Sequence, residues 1–548
     1  MFKERKGAFK WLFKNSKPIL GSITLLTALG VLVSYICVEF ALAAGRLLDV
    51  ATGKSRESFK LCIVHIAILL VMEVALESFY NIYAIRVSSK NKNRLQKNLF
   101  ASIIKSDYSS VVDYHSGELI NRLTADINII NSNIIDIIPA IVMLLTSVAF
   151  SFVAMFKLDF SLAVICLSLG PVVILTSVFY GRKMKKLHKD CQASDGKTRS
   201  FMQESIQNLL VIKAFGREKR TENHTEILQN VNYNLNMKRG YISIAVNLLY
   251  YMAMTVAYYF AVSWCAYKIS VGIMTVGTFT AIIQLVNSMQ SPFKEISGTV
   301  SQLFATLASA ERVMEVEQMV KDSEPIEKIY DFKSLEVNNL TFSYDGKNIL
   351  EDASLNINKG DITVVEGPSG QGKSTFFKLL MGIYRSEKGA MKVITENSEY
   401  NLSSATRSLF AYVPQGNMIV SGTVRENIAF FADVSKEAVE NAARCAEIYD
   451  YIVSLPDGFD TVLGESGLGL SEGQTQRLAV ARALCTDSPI ILLDEATSAL
   501  DDATEAKILE NIKNLANRTP IIITHRAKAK SIANVQVYLE NGRFEIRK

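Results

Sequence analysis

The 548 residues carry almost no surplus charge, since 59 basic against 54 acidic side chains leave a net of only +5. That balance excludes a polynucleotide bound along a basic face, and the basic residues gather beside apolar runs, where they read as topology signals. Cysteines are few and scattered. Cys37, Cys62, Cys166 and Cys265 lie in apolar segments and Cys191, Cys445 and Cys485 outside them, with no metal-ligand spacing, so neither a disulfide framework nor structural zinc is indicated. Internal repeats and low-complexity tracts are missing as well. The N-terminal MFKERKGAFKWLFKNSK is basic, yet the apolar stretch after it is too long for a signal-peptide core and shows no small-residue cleavage site. It is expected to lead into a retained first span, and to be too short for a preceding peptidase domain.

What is abundant is apolar: 49% of the residues are hydrophobic and the mean hydropathy is +0.18, which points to a membrane. Stretches long enough to cross a bilayer fall at about Ile19 to Ala44, Leu61 to Ile85, Ile134 to Phe156, Phe160 to Tyr180, Ile244 to Tyr267 and Val271 to Met289. Six spans return the chain to its starting side. The segments after spans two and four are long and basic, as in RKMKKLHK, whereas the turns at Lys157 to Asp159 and Lys268 to Ser270 are tiny, so both termini are expected in the cytoplasm. The helical period continues through ESIQNLLVIKAFGREKR, which predicts spans that run on beyond the lipid. From 334 onward, strand-like runs (Ile362 to Glu366, Leu409 to Val413, Ile490 to Leu493, Pro520 to Thr524) alternate with amphipathic helices. The expected organisation is a six-helix transmembrane domain over 1–320, a charged linker over 321–333 and an α/β phosphate-loop nucleotide domain over 334–548.

Gly367, Pro368, Ser369, Gly370, Gln371, Gly372, Lys373, Ser374 and Thr375 fit the phosphate-loop pattern between the apolar strand ITVVE and the helix-forming run TFFKLLMG. In that context the glycines let backbone N–H groups approach phosphates at a helix N-terminus. Lys373 is expected to neutralise the β- and γ-phosphates of ATP and Ser374 to ligate Mg2+. The competing reading is a chance glycine-rich turn. IILLDE, ending on Asp494 and Glu495, reads as a buried strand that delivers a metal-ligating carboxylate and, one residue on, a group to polarise the attacking water. Two acids closing a strand can also be a solvated turn; the phosphate loop favours the first reading.

The segment LSEGQTQRLAVARAL, from Leu470, carries the decisive resemblance. The chain resembles an ATP-binding cassette transporter, an exporter-type half-transporter, over essentially its whole length, with further family-like stretches at Gly117 to Asp126 and Val211 to Arg220. The resemblance implies that Tyr344 in FSYDGK stacks on adenine and that Gln415 in AYVPQ senses metal and water. It also implies that His525 in IITHR contacts the γ-phosphate and holds Glu495, and that Asp501 in SALD lies between two nucleotide domains. Ser471, Gly473 and Gln474 would meet the nucleotide of the opposite subunit, Ser471 and the Gly473 backbone clasping its γ-phosphate. The turns near Tyr108 to His115 and Val211 to Gly216 would be coupling helices, and Gly464-Glu465 the loop reporting on them. The family signature usually reads LSGGQ, so Glu472 replaces its first glycine and Thr475 stands where a basic residue is common. A carboxylate near phosphate is electrostatically unhelpful unless it points away.

These features predict ATP-driven export of a hydrophobic, amphipathic or peptide-like solute by a dimer of half-transporters, most simply a homodimer, in the cytoplasmic membrane. Two alternatives share the motifs: an importer on the exporter fold, and an ATP-gated receptor or channel without turnover. A soluble ATPase acting on DNA or translation conflicts with six spans. Glu39, Glu73 and Glu77 are the substrate clue, because carboxylates in a bilayer cost at least about 2.5 kcal/mol each and face a bundle interior or wet cavity. Such a cavity would favour cationic or amphipathic solutes such as a basic peptide; in the bland reading these acids are protonated or pair with residues such as Arg46, Lys60 or His65.

Overall fold

A computed structural model describes residues 2–326, 329–344, 346–416, 419–464, 469–515 and 517–547. The chain divides into two compact units: one holds Met1–Ser102 and Ser116–Gln318, the other Ile103–His115 and Met319–Lys548.

The first unit is all helix. A basic helix α1 (Phe2–Ser16) precedes α2 (Leu20–Ala51) and α3 (Phe59–Ile104). After α4 (Tyr108–Val112), which belongs to the second unit, come α5 (Ser116–Asn121), α6 (Ile127–Leu158), α7 (Phe160–Gln207), α8 (Leu209–Ala214), α9 (Glu218–Ser270) and α10 (Val276–Glu317). Among the described residues, four stretches are long and apolar enough to span a bilayer: Gly7–Ala51, Phe59–Ile104, Ser116–Leu158 and Glu218–Ser270. Helices α7 and α10 coincide with the other two expected spans. At about 1.5 Å per residue the 48 residues of α7 and the 53 of α9 reach well past a hydrocarbon core of roughly 30 Å, as the continuing helical period predicts.

Small residues let α2 and α10 approach closely. A Cβ on Gly45 of α2 would lie 2.6 Å from the carbonyl oxygen of Gly277 in α10, and one on Gly277 would lie 2.1 Å from that of Gly45. Asp49 fixes the same crossing: its carboxylate accepts from the Gly277 N–H at 2.9 Å and the Thr275 hydroxyl at 3.0 Å. This cap starts the sixth span at Val276, five residues later than its apolar run suggests, because Val271 to Thr275 form the turn. At the α6–α7 turn, buried Asp159 caps α7 and accepts from Lys268 Nζ at 2.6 Å and Trp264 Nε1 at 3.3 Å, tying that turn to the end of α9. A π-helical turn over Arg122–Asp126 buries two charges: Asp126 pairs with Arg312, and Arg122 with Glu118 and Glu315.

The second unit holds two sheets. Strands β1 (Ser334–Tyr344), β2 (Lys347–Asn358), β4 (Lys388–Ile394) and β5 (Glu399–Asn401) form an antiparallel sheet in the order β2-β1-β4-β5. The larger sheet, in the order β12-β11-β3-β10-β9-β6, contains β3 (Thr363–Glu366), β6 (Phe410–Val413), β9 (Ile490–Asp494), β10 (Thr519–Ile523) and β11 (Val535–Glu540) in parallel, with β12 (Arg543–Arg547) antiparallel at the edge. A short pair, β7 (Gly422–Thr423) and β8 (Val462–Leu463), completes the strands. Helices α11 (Lys373–Leu380), α12 (Val424–Ala429), α13 (Lys436–Cys445), α14 (Tyr449–Ser454), α15 (Glu472–Leu484), α16 (Asp502–Lys513) and α17 (Ala527–Ile532) fill the connections.

Every residue of β9 and β10 is buried, and alternate residues feed different cores: Ile491 and Leu493 pack with α15 and α16, Ile490 and Leu492 with Phe376 and Phe377 of α11 and the antiparallel sheet. A parallel sheet covered on both faces requires such continuous apolar runs. The four strands expected from those runs are all present, whereas β1, β2, β4 and β12 were not visible because one face of each is exposed or charged. The segment Ile103–His115 joins this unit through backbone bonds from Asp107 N to Val320 O (2.8 Å) and from Asp322 N to Lys105 O (3.0 Å).

Candidate nucleotide site

The phosphate loop turns between β3 and α11 at positions where side chains do not fit. Gly367 adopts φ +144°, and a Cβ there would come 2.2 Å from the Leu539 carbonyl oxygen; Gly372 adopts φ +96° with a Cβ site 2.4 Å from Ile349. Lys373 opens α11 and is buried, its ammonium bonded to the carbonyls of Gly367 at 2.6 Å and Pro368 at 3.0 Å. Burial pulls that ammonium below the ordinary lysine range, while Glu495 and Asp494 act the other way. Phosphate oxygens offer it better acceptors than neutral carbonyls.

Ser374 donates to Asp494 Oδ1 at 3.0 Å, so the helix start and the end of β9 converge. Asp494 is 1% exposed, and burial pushes its carboxyl above the usual carboxylate range against the bonds from Ser374 and Tyr412. Ser374 and Asp494 bring a hydroxyl and a carboxylate oxygen together at a buried carboxyl that no cationic side chain pairs among the described residues, whereas Gln415 is bonded through its amide nitrogen to Glu495. That set fits a hard divalent cation such as Mg2+, which takes few protein ligands and completes its shell with phosphate and water. No cluster of three His, Cys, Asp or Glu side chains forms a separate metal centre among the described residues.

Glu495 follows directly in left-handed backbone, φ +51°, anchored by its N–H to Ile523 O at 3.0 Å. For a non-glycine residue that conformation is strained. It turns the carboxylate toward two groups from other strand ends: Gln415 Nε2 lies 2.9 Å from one oxygen and His525 Nε2 4.0 Å from the other. Glu495, Gln415 and His525, apart in sequence, thus meet at the C-terminal ends of β9, β6 and β10. Tyr344 ends β1 with its ring 37% exposed, within edge contact of Phe342 and Tyr384.

The signature residues form a separate group. Ser471 caps α15, its Oγ accepting from Gln474 N at 3.3 Å and its N–H donating to Gln474 Oε1 at 2.8 Å. Glu472 is the first helical residue and is exposed, whereas a Cβ on Gly473 would press to 3.1 Å from the Ala499 carbonyl oxygen. A side chain at the second glycine would therefore crowd the Ala499 carbonyl, whereas the first position is open to solvent. Asp501 caps α16 and accepts from Ala503 N, Thr504 N and Thr504 Oγ1; the Thr504 and Ala503 bonds hold its carboxyl below the usual range. Among the described residues, no hydrogen bond or ion pair joins Ser471, Gly473, Gln474 or Asp501 to the phosphate loop.

Three functional candidates escaped sequence reasoning. Tyr412 donates to Asp494 Oδ2 at 3.3 Å; a polar-tipped ring in an apolar strand was the available signal. Gln476 accepts from Ala499 N and donates to Ser498 Oγ at 2.8 Å, and Arg526 donates to the carbonyls of Ser498 at 2.6 Å and Leu500 at 2.8 Å. Together they lock the loop between Glu495 and Asp501 to α15 and to the residue after His525. No one-dimensional pattern announces them. In the first unit, Glu39 lies 3.5 Å from Arg46, as the bland reading expected, and Glu73 accepts from Cys37 Sγ at 3.5 Å. Glu77 is exposed, and no hydrogen bond or ion pair among the described residues links the three acids. Glu465 lies outside the described residues.

A phosphate loop, a buried metal-type carboxylate and a Glu–Gln–His cluster, on a chain with four helices among the described residues long and apolar enough to cross a membrane, define a nucleotide-hydrolysing membrane protein. Residues 23–293 match the ABC transporter transmembrane region and residues 350–498 the ABC transporter family. An ATP-dependent lipid A-core flippase of Desulfotalea psychrophila is 30% identical over 85% of this chain and 83% of its own. The mitochondrial ATP-binding cassette sub-family B member 10 of Mus musculus is 30% identical over 96% and 76%. A solved bacterial Atm1-family ABC exporter with ATP bound superposes with a TM-score of 0.82 at 24% identity, covering 96% and 94% of the two chains, which shows the fold. The chain belongs to the ABC transporter family, as an exporter-type protein whose ATPase domain is coupled to transmembrane transport.

Proposed function

We propose that two copies of this chain form a homodimer that exports an amphipathic, lipid-like or peptide-like solute across the cytoplasmic membrane by alternating access, with both termini in the cytoplasm. The observation that carries this reading is the Gln415–Glu495–His525 cluster, a hydrolytic arrangement that a gated receptor without turnover would not need. Relatives named as lipid A-core flippases support an amphipathic cargo. Glu39, Glu73 and Glu77 are proposed to line the solute path.

Each chain supplies half of each of two sites. The phosphate loop of one copy, residues 367–375, holds the ATP phosphates, with Lys373 exchanging its loop carbonyls for phosphate oxygens and Tyr344 lying against adenine. Ser471, Gly473 and Gln474 of the other copy close over the γ-phosphate: the Ser471 oxygen already accepts from Gln474 N, so its proton is free to be donated. Mg2+ held by Ser374, Gln415 and Asp494 would neutralise charge on the β- and γ-phosphates. Glu495 accepts a proton from the attacking water, and His525 donates toward the γ-phosphate while holding Glu495 in place. ATP bound between subunits stabilises the closed pair, and its hydrolysis removes that differential binding, which a two-state transport cycle requires. Coupling is assigned to the Tyr108 to His115 segment and to the Val211 to Gly216 turn at α8, where Leu210 and the C-capping Phe215 are 83% and 72% exposed.

The test is ATPase stimulation by a panel of lipids, amphiphiles and basic peptides in lipid nanodiscs, with Glu495→Gln as control. Absence of turnover by the wild-type chain would sink the reading. Uptake of the stimulating solute into inside-out vesicles separates export from import.

A further inference from the structure

Tyr384, in the turn after α11, sits between two parts of the second unit that the hydrolytic chemistry does not use together. Its ring meets Tyr344 edge-on at 5.4 Å and 88°, and meets Tyr108 of α4 at 6.1 Å and 77°; Phe342 packs 5.7 Å from it and 4.9 Å from Tyr344. The next residue, Arg385, lies 3.4 Å from Asp107, the N-cap of α4. Asp107 is itself buried, and its N–H is bonded to Val320. Burial, then the hydrogen bond with Tyr344, pushes the Tyr384 hydroxyl up to about 12, so the ring stays neutral at working pH.

We propose that Tyr384 is a positioning residue that holds the Tyr344 ring for the adenine base and passes base occupancy to the Ile103–His115 segment through Tyr108. Tyr344 is 37% exposed at a strand end, where an aromatic ring has several rotamers to choose from. Edge contacts from Phe342 and Tyr384 select one of them, because a perpendicular ring pair is the electrostatically favoured arrangement. A base stacking on Tyr344 stabilises that rotamer further. Since the Tyr384 ring also touches Tyr108, the rotamer favoured by the base is the one that favours α4 in its present seat. The ligand thereby shifts the segment by differential contact, as linkage demands. The consequence is a signal that reads the base and not the phosphates, carried to the residues that continue directly into α3 and α5.

This inference rests on the assignment of Tyr344 to adenine, and the experiment separates the two. Full-length protein in nanodiscs is assayed with ATP and with ribose triphosphate, which keeps the sugar and phosphates and lacks the base. Tyr384→Leu should raise KM for ATP about twofold to tenfold with kcat little changed, and leave KM for ribose triphosphate as it was, while Tyr384→Phe restores wild-type behaviour. In hydrogen–deuterium exchange, ATP should protect Ile103–His115 more than ribose triphosphate does in the wild type. That difference should vanish in Tyr384→Leu and in Tyr108→Leu, the latter without a change in KM for ATP. Equal protection by the two ligands in the wild type overturns the proposal. So does a Tyr384→Leu protein that keeps the difference, or one that loses kcat together with KM for both ligands, the mark of a merely structural role. If Tyr344→Ala weakens both ligands equally, the adenine assignment fails; if it weakens ATP alone while Tyr384→Leu does nothing, only the role of Tyr384 fails.

Discussion

Glu495 occupies a strained left-handed backbone position at the end of β9, held by a bond to Ile523, and its side chain is met by Gln415 and His525. Replacing it with Gln keeps shape and hydrogen bonding but removes the proton acceptor, so turnover should fall by about a hundredfold or more while ATP binding persists, measured by phosphate release beside nucleotide binding. Glu472 and Gly473 differ in kind despite being neighbours. Glu472 is exposed at the first position of α15, so Glu472→Gly should fold normally and, if the proposed composite site sets this carboxylate beside a phosphate, raise turnover; identical rates in both proteins would dismiss that repulsion. Gly473→Ala presses a methyl against the Ala499 carbonyl and should lower turnover by shifting the loop that carries Asp501.

Among the elements, α15 depends on Ser471 as its cap. Ser471→Ala should cost about 1 kcal/mol of helix stability, whereas Ser471→Asp or Asn, which also cap, should restore stability without restoring the hydroxyl proposed to bind phosphate. Unfolding and ATPase measured together separate the two roles. The turns at the ends of α6 and α9 give a second case. Burial pushes the Asp159 carboxyl up, but Lys268, the Leu162 amide and Trp264 outweigh it and hold it below the usual range. A depressed carboxyl stabilises the fold at all pH above its unfolded value and loses that contribution as pH falls through its folded value. Lys268→Met should therefore cost about 1–3 kcal/mol near neutrality by leaving Asp159 underpaired, and this loss should shrink in strong acid, checked by thermal melts across pH.

For the whole molecule, the signature residues bond within their own neighbourhood among the described residues, which makes the proposed half-sites testable by complementation. Lys373→Ala and Ser471→Ala should each be inactive as homodimers. Mixed one to one, half the dimers combine the two chains and one of their two sites is intact, so activity should return to roughly a quarter of wild type. No recovery on mixing would place both halves of a site in one chain. Gln476 and Arg526 bear on the same question from inside the subunit, since they brace the loop running from Glu495 to Asp501. A change at the proposed subunit contact around Asp501 would reach Glu495 along that loop.

Much of this was legible in sequence because it is local: the phosphate loop needs glycines at fixed spacing, a doubly covered strand needs a continuous apolar run, and a span needs about twenty apolar residues. The sequence by itself therefore determined the membrane-spanning character of the first unit, the four buried parallel strands and the phosphate loop from Gly367 to Thr375. Tertiary structure decided what depends on residues far apart meeting. It bent the chain at Glu495, placed Tyr412 on Asp494 and Gln476 on the Ser498 loop, and joined Tyr108, Tyr384 and Tyr344. Each of those side chains is ordinary for its own element, and only packing between elements, which no local pattern encodes, gives it a partner.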